Sequence, residues 1–331
     1  MEEEMKIGLT YDLRNDYIKM GFSEEETAEF DREDTVEAIE NTLQDLGFQT
    51  QKIGNVYHLI NALGREERWD LVFNICEGLY GVSRESQVPS ILDAFQIPYT
   101  FSNGLILSVA MHKGLCKQMI KQLKIPTAPY LVLANMEQIK NVKIPYPLFV
   151  KPVAEGTSKG ITAKSKIDNL EELKNMCDYL FQNFKQPVIV EKFLPGREFT
   201  VGIVGNNSSA KAIACMEIII KDEKNKEIYT YEAKEKCEDQ VIYQLANDDV
   251  AKKAIKTAIK AYQGLGCQDT GRVDLKVDEK GIINFIEINP IPGLHPSHSD
   301  LPMMAEFAGV SYKQLIKMIV DAAIERTSNK I

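Results

Sequence analysis

Gly271-Arg272-Val273-Asp274-Leu275-Lys276-Val277 and Ile283-Asn284-Phe285-Ile286-Glu287-Ile288-Asn289-Pro290 both alternate polar and apolar side chains. That is the pattern of strands with one buried face. Asp278-Glu279-Lys280-Gly281 between them has the composition of a hairpin turn. Pairing Val277 with Ile282 sets Arg272 opposite Glu287 and Asp274 opposite Phe285. Residues opposite one another in an antiparallel pair share a face. Arg272, Asp274, Glu287 and Asn289 then share one face, and Val273, Leu275, Ile286 and Ile288 point into a core. Two carboxylates and a carboxamide beside an arginine suit Mg²⁺ carrying a phosphate, because that ion takes hard oxygen ligands and keeps substrate phosphate in its shell. A solvated hairpin with an Arg–Glu pair fits the same residues. Register decides, since a slip of one residue separates the two sets.

The rest of the chain sets the context. Its 331 residues suffice for two or three domains with a substantial core. Hydrophobic residues at 44% and charged residues at 26% are ordinary for a soluble protein. The net charge of −9 disfavours a nucleic-acid groove. The six cysteines (76, 116, 177, 215, 237 and 267) are scattered with no C-x-x-C pair, so reduced core thiols are expected over disulfides or a zinc site. Met1-Glu2-Glu3-Glu4 lacks a signal-peptide pattern. The chain has no run of 18 apolar residues, so no membrane span is expected and the location reads as cytoplasmic.

Strands are predicted over residues 6–10, 48–53 and 71–75, and helices over 33–46 and 87–95, with 97–100 extended. Strands alternating with helices imply a parallel sheet in the first hundred residues. A single helix is predicted over 105–123. Prolines then punctuate a strand-rich region with strands at 148–151 and 188–191. Between these, Asp168 and Glu171 form a capping-box pattern for a helix. Strands at 199–204 and 212–220, helices at 250–265, 303–307 and 312–324, an exposed turn at 221–226 and a frayed end at 326–331 complete the reading.

Ala154-Glu155-Gly156-Thr157-Ser158-Lys159-Gly160 follows the strand-end Lys151. Glycines let backbone approach a ligand, and N–H groups with Thr and Ser hydroxyls cradle phosphate oxygens. It is not a P-loop, and alone it also fits a plain hairpin loop. Glu191 ends an apolar strand, where an acid beside free backbone groups suits an adenine edge and ribose hydroxyls. An ordinary strand-to-turn junction has the same look. Lys113 and Lys151 are candidate phosphate contacts, although a lone lysine is usually solvated surface. Ser299 and Asp300 are N-cap candidates, and free N–H groups at a helix start can hold a carboxylate. His295 and His298 lack a third nitrogen or sulfur ligand nearby in sequence, which weighs against zinc.

In combination these pieces resemble the ATP-grasp superfamily, and within it the D-alanine–D-alanine ligase family, from about residue 71 onward. The resemblance rests on Pro98-Tyr99-Thr100, His112-Lys113, Phe149-Val150-Lys151-Pro152, Glu155-Gly156-Thr157-Ser158, Glu191-Lys192-Phe193-Leu194, Glu198-Phe199-Thr200-Val201, Tyr231-Glu232-Ala233-Lys234, Arg272-Val273-Asp274 and Glu287-Ile288-Asn289 with Pro292-Gly293. It implies an α/β (α+β) three-domain ATP-grasp fold: an N-terminal parallel-sheet domain over residues 1–104, a central ATP-grasp subdomain over 105–191 and a C-terminal one over 192–331. By matching position, Lys113, Lys151, Glu155, Gly156, Glu191, Phe193, Leu194, Glu198 and Lys234 would bind ATP. Asp274, Glu287 and Asn289 would hold two Mg²⁺ ions, with Mn²⁺ as an alternative. Arg272, Thr157, Ser158, Glu235 and the backbone at Gly293 would serve catalysis, and Ser299 and Leu301 would bind the second substrate's carboxylate. The implied reaction passes through an acylphosphate to a dipeptide made from small amino-acid substrates. The family resemblance also implies a homodimer.

The substrate half departs from the family. Where the family carries Gly-Gly-x-Ser-x-Glu after strand one, this chain reads Leu9-Thr10-Tyr11-Asp12-Leu13-Arg14-Asn15-Asp16, followed by a longer acidic stretch. Asn74-Ile75-Cys76-Glu77-Gly78 and Ser83-Arg84-Glu85-Ser86 replace the usual His-Gly and Gly-Glu-Asp-Gly pieces. Asp12, Asp16, Glu77 and Glu85 are therefore candidates for the ammonium-binding acid. Glu235 stands where the family has tyrosine and would favour a cationic second substrate. Two other readings stay open: an ATP-grasp ligase joining a different amino-acid or amine pair, and a nucleotide-binding protein without catalysis.

Overall fold

The computed structural model describes residues 4–220 and 241–328. The expected turn at 221–226, Cys237, and the Tyr231–Lys234 motif with Glu235 lie outside them. Three sheets organise the described chain. The first is parallel, ordered β2-β1-β3 from Lys6–Tyr11 (β1), Gln49–Gly54 (β2) and Leu71–Ile75 (β3). Its helices are Arg14–Lys19 (α1), Glu33–Asp45 (α2), Val56–Gly64 (α3) and Gln87–Ala94 (α4). Val36, Ile39 and Leu43 recur at helical spacing and form the buried face of α2.

Two helices follow, Gly104–Met111 (α5) and Lys113–Gln122 (α6). The sequence predicts one helix here, and the chain breaks it at His112. The His112 side chain accepts from the Leu115 N–H at 3.2 Å, capping the new helix, while the Lys113 N–H turns away to Val153 O at 3.0 Å.

The second sheet is antiparallel, ordered β4-β7-β5-β6, from Tyr130–Leu133 (β4), Leu148–Pro152 (β5), Lys166–Ile167 (β6) and Val188–Lys192 (β7). Leu170–Phe184 (α7) packs Leu173, Cys177 and Leu180 onto Leu148, Val150, Val188 and Val190. Its cap is Asn169, which accepts from Glu172 N–H, one residue later than the expected Asp168–Glu171 pair; Asp168 instead donates its N–H to Glu172.

The third sheet is ordered β10-β9-β8-β11-β12, from Glu198–Val204 (β8), Lys211–Ile220 (β9), Val241–Leu245 (β10), Thr270–Val277 (β11) and Ile283–Asn289 (β12). Asp249–Leu265 (α8) lays Ala254, Ala258 and Tyr262 against one face, and α5 and α6 share that core through Ile106 and Ile120. Asp300–Phe307 (α9) and Tyr312–Ser328 (α10) join β1, β3 and α2 in a second core, where Leu301 and Leu315 meet Ile7 and Leu43. The end at Arg326 is not frayed. Its guanidinium bonds Asp269 at 2.8 Å and Tyr99 O at 2.7 Å, tying α10 to the N-terminal segment and to the chain entering β11.

The deciding hairpin has a different register from the one the turn implies. Val277 pairs with Ile283, and a bulge between Asp274 and Leu275 then sets Asp274 opposite Glu287 and Arg272 opposite Asn289. One offset comes from the turn and a second from the bulge, so the polar residues return to one face. The bulge exchanges two apolar positions: Phe285 is fully buried in the core, while Ile286 lines the neighbouring cavity.

The five described cysteines are buried and unpaired, as expected of core thiols. Among the described residues no helix is long and apolar enough to cross a membrane.

Candidate active site

A cavity of about 360 Å³ opens between the second and third sheets, with helix and loop residues of the N-terminal segment along one side. Its size falls in the range of small-molecule sites. Phe149, Phe193, Leu194 and Ile286 supply apolar wall, and Glu191, Glu198, Lys113 and Lys151 supply charge.

Lys151 ends β5 with its Nζ 3.2 Å from Glu287 Oε2 and 3.7 Å from Glu191. Lys113, first residue of α6, places Nζ 3.6 Å from Glu287 and 2.5 Å from Glu155 O. Burial would raise the Glu287 carboxyl, but Lys151 and Lys113 outweigh it and hold Glu287 far below the usual carboxylate range. Both lysines are thus already poised around an anion. Glu191, on β7, is 4% exposed and meets Lys117 Nζ at 2.6 Å. Lys117 is fully buried and also reaches Thr127 Oγ1 at 2.9 Å. Sequence reading missed Lys117. It lies one turn after Lys113, and only the packing of α6 against β4 and β12 distinguishes it from a surface lysine. Glu198 pairs with Lys276 at 2.8 Å beside the Phe193 ring.

Asp274 is chelated by Arg272 at 3.1 and 3.0 Å, accepts from Thr200 Oγ1 at 2.7 Å, and takes a bond from Asn289 Nδ2 at 3.1 Å. Arg272 also meets Asp300 at 2.9 Å, and Asp300 is a further residue that sequence reading placed only as a cap. The donor set is two carboxylates and a carboxamide on adjacent strands. Among the described residues no three His, Cys, Asp or Glu side chains converge into a cage. Few protein oxygens beside lysines fit a hard divalent cation that takes its remaining ligands from phosphate and water.

The 155–160 loop lines the cavity. Thr157 (φ 48°) and Ser158 (φ 56°) are both left-handed, a conformation costing roughly 1–2 kcal/mol for each L-residue. Such strain persists only where the surroundings impose it, and it gathers at ligand clamps.

Gly293 and Ser299 also line the cavity. A Cβ at Gly293 would lie 2.8 Å from Ser299 Oγ, so the two chain segments approach as only glycine permits. Ser299 is the N-cap of α9, and its Oγ accepts from His295 N–H rather than from the helix. Leu301 is fully buried in the second core and is not among the cavity-lining residues. Of the candidate ammonium-binding acids, Glu77 and Glu85 line the cavity. Asp12 is 2% exposed and satisfied by Tyr17 OH at 2.5 Å and Gly78 N–H at 2.9 Å, and Asp16 pairs with Lys19 on the surface. Two lining acids not singled out in the sequence, Glu29 and Asp31, come from the acidic stretch before α2.

Two antiparallel sheets facing one another across paired lysines, a strained glycine loop and a carboxylate pair on one hairpin define an ATP-grasp ligase. Residues 119–321 match the family model described as D-ala D-ala ligase C-terminus. A D-alanine–D-alanine ligase of Trichlorobacter lovleyi is 31% identical over 295 residues, covering 88% of this chain and 89% of that protein. One of Aquifex aeolicus is 32% identical over 288 residues, covering 86% and 93%. The chain belongs to the D-alanine–D-alanine ligase family and is an ADP-forming carbon–nitrogen ligase. The fold agrees. The crystal structure of a Bacillus anthracis D-alanine–D-alanine ligase complexed with ATP superposes with a TM-score of 0.75 at 22% identity, covering 99% of this chain and 100% of that one. That of the VanG D-Ala:D-Ser ligase from Enterococcus faecalis gives 0.74 at 20% identity, covering 97% and 100%.

Proposed function

We propose that the protein joins two D-alanine molecules in an ATP-dependent reaction that supplies a cell-wall precursor. The observation that carries this is the convergence of Lys113, Lys151, Asp274, Glu287 and Arg272 on one cavity, in a chain whose relatives are D-alanine–D-alanine ligases. In this reading Phe193, Leu194, Glu191 and Glu198 receive the adenosine, Lys113, Lys151 and the Glu155–Gly156 loop take the phosphates, and Lys234 joins them. Asp274, Glu287 and Asn289 hold Mg²⁺, which when bound neutralises phosphate charge. The carboxylate of the first amino acid attacks the γ-phosphorus and ADP leaves. The amine of the second attacks the acyl carbon, phosphate leaves, and the amine loses a proton. Arg272 and the Gly293 backbone face the charge that develops, Thr157 and Ser158 close over it, and Ser299 receives the second carboxylate. The segments 1–104, 105–191 and 192–331, a homodimer and a cytoplasmic location belong to the same proposal.

A different amino-acid pair is a second reading, favoured by the acidic end of the cavity. Asp31, Glu77 and Glu85 stand there together. Burial first, then Glu85 and Glu29, pushes the Glu77 carboxyl well up; burial pushes Glu85 up to about 7; and burial with Asp12 pushes Asp31 up to about 8. Such a site gathers more carboxyl groups than one ammonium group would hold ionised, and a second bound cation would restore their charge, which suits a diamino acid, with Glu235 as a further acid.

Phosphate release with ATP, Mg²⁺ and D-alanine, with product mass, tests both. D-Ala–D-Ala supports the first reading. Product only when a diamino acid is added favours the second. ATP binding with no product across the twenty amino acids in both hands overturns the ligase proposal in favour of a non-catalytic nucleotide binder.

A further inference from the structure

Glu29 takes no part in the proposed reaction, yet its side chain is only 6% exposed at the cavity wall. Its Oε1 accepts from the Gly156 N–H at 2.5 Å, across 127 residues of sequence. Its Oε2 takes Arg84 Nη2 at 2.7 Å and lies 3.7 Å from Lys159 Nζ. Arg84 donates from Nη1 to Ala154 O at 3.0 Å and lies 3.6 Å from Glu155. Lys159 closes the ring on Glu155 at 2.7 Å, and Glu155 is held from the other side by Gln186 at 2.6 Å. Two acids and two bases thus form a nearly desolvated, charge-balanced network. Glu29 and Arg84 come from the N-terminal segment, and Ala154, Glu155, Gly156 and Lys159 from the glycine loop. Charge-assisted hydrogen bonds of this kind are the strong ones. Burial alone would raise the Glu29 carboxyl, but Arg84 and Lys159 outweigh it and keep Glu29 charged.

We propose that Glu29 is the latch of the glycine loop, a positioning residue whose carboxylate, with Arg84, ties residues 154–159 to the N-terminal segment and keeps the loop shut over the reacting phosphate. This rests on the reading that the loop covers ATP. Open, the loop admits water to the acylphosphate, which then hydrolyses to the free amino acid and phosphate. Closed, only the amine reaches the acyl carbon. The acidic stretch before α2 thereby carries the group that shuts the site.

Two measurements on the full chain test this. One is the ratio of phosphate released to dipeptide formed, with ATP, Mg²⁺ and whichever amino acids the wild type joins. The other is tryptic cleavage after Lys159, followed by mass spectrometry without any ligand. Proteolysis of a folded protein reads the population of its open form. Glu29→Ala is expected to raise cleavage after Lys159 about tenfold, the usual scale for losing a charged hydrogen bond. It should raise the phosphate-to-dipeptide ratio severalfold and increase KM for ATP more than it lowers kcat. Glu29→Gln keeps the acceptor for Gly156 but loses the charge, and should fall between. If Glu29→Ala does not fold, Gly156→Ala is the second variant, because its methyl would sit 2.7 Å from the Glu29 carboxylate and displace it. Unchanged cleavage and an unchanged ratio, with dipeptide still formed, overturn the latch and leave the ligase reading intact. A fall in KM for ATP in Glu29→Ala also overturns it, because the carboxylate would then be a plug competing with phosphate. If the wild type makes no dipeptide, the ligase reading fails, and the cleavage assay by itself decides whether Glu29 holds the loop.

Discussion

Single residues carry the charge balance of this site. Lys117 shows it best, because it is fully buried and its ammonium group meets the equally buried Glu191 at 2.6 Å. Removing one partner of such a pair leaves an uncompensated charge, which costs ~3–5 kcal/mol, whereas removing both is often nearly neutral. Lys117→Met is expected to lower stability by about that amount. Lys117→Met with Glu191→Gln should recover more than half of the loss in chemical denaturation. ATP affinity should stay reduced in both, since Glu191 faces the proposed adenosine site. Strictly additive single effects would show that the two side chains do not act as a pair. Glu191 was visible in the sequence because it ends an apolar strand. Lys117 was not, because nothing in Gly114-Leu115-Cys116-Lys117 separates a buried lysine from an exposed one.

At the scale of elements, two irregularities aim the chemistry. The bulge in the β11–β12 hairpin corrects the register so that Asp274 faces Glu287. The break at His112 divides one predicted helix in two and turns the Lys113 ammonium group toward Glu155 and Glu287. His112 acts as an N-cap, and a lost cap costs about 1 kcal/mol. His112→Ala should therefore lower stability by roughly 1 kcal/mol. It should also raise KM for ATP severalfold with a smaller change in kcat, and Asn at this position should restore both. Thermal denaturation and steady-state kinetics check the two halves. Neither irregularity is legible from periodicity, which reports the face a residue occupies but not an added residue or a broken turn. The capping signal near residue 168 was likewise legible to within one residue, because Asp168 and Asn169 are equally good caps and the Glu172 carboxylate selects between them.

Across the whole molecule, the cavity exists because two sheets meet the loops and helices beside the first, and the same meeting gathers like charges. Glu85 is pushed up to about 7 and Asp31 to about 8, burial being the first cause in each. An acid whose pKa is raised on folding binds more protons in the native state than in the unfolded one. Its contribution is fully present below the ordinary carboxylate range and is lost as pH rises through 7 to 8. Stability should therefore decline between pH 5 and pH 8.5, and Glu85→Gln should flatten that decline, gaining on the order of 1–3 kcal/mol at the alkaline end and little at pH 5. Melting temperatures of the two proteins across pH check this. Parallel slopes would show that Glu85 ionises normally in the native state. By itself the sequence determined most of the longer strands, most helix limits and the family, and it placed Lys151, Glu191, Asp274 and Glu287 as candidates; the short strands at 130–133, 166–167 and 241–245 it did not show. Local alternation and spacing encode the elements, motif resemblance gives the family, and Lys151, Glu191, Asp274 and Glu287 each sit at a strand position that periodicity can read. Only the tertiary structure decided the hairpin register, the buried Lys117, and which acids face the cavity. It satisfied Asp12 locally through Tyr17 and Gly78, and brought in Glu29 and Asp31 from a stretch with no motif. The physical reason is that burial and charge pairing are properties of neighbours, and these neighbours lie far apart along the chain, 127 residues for Glu29 and Gly156 and 168 for Lys117 and Phe285.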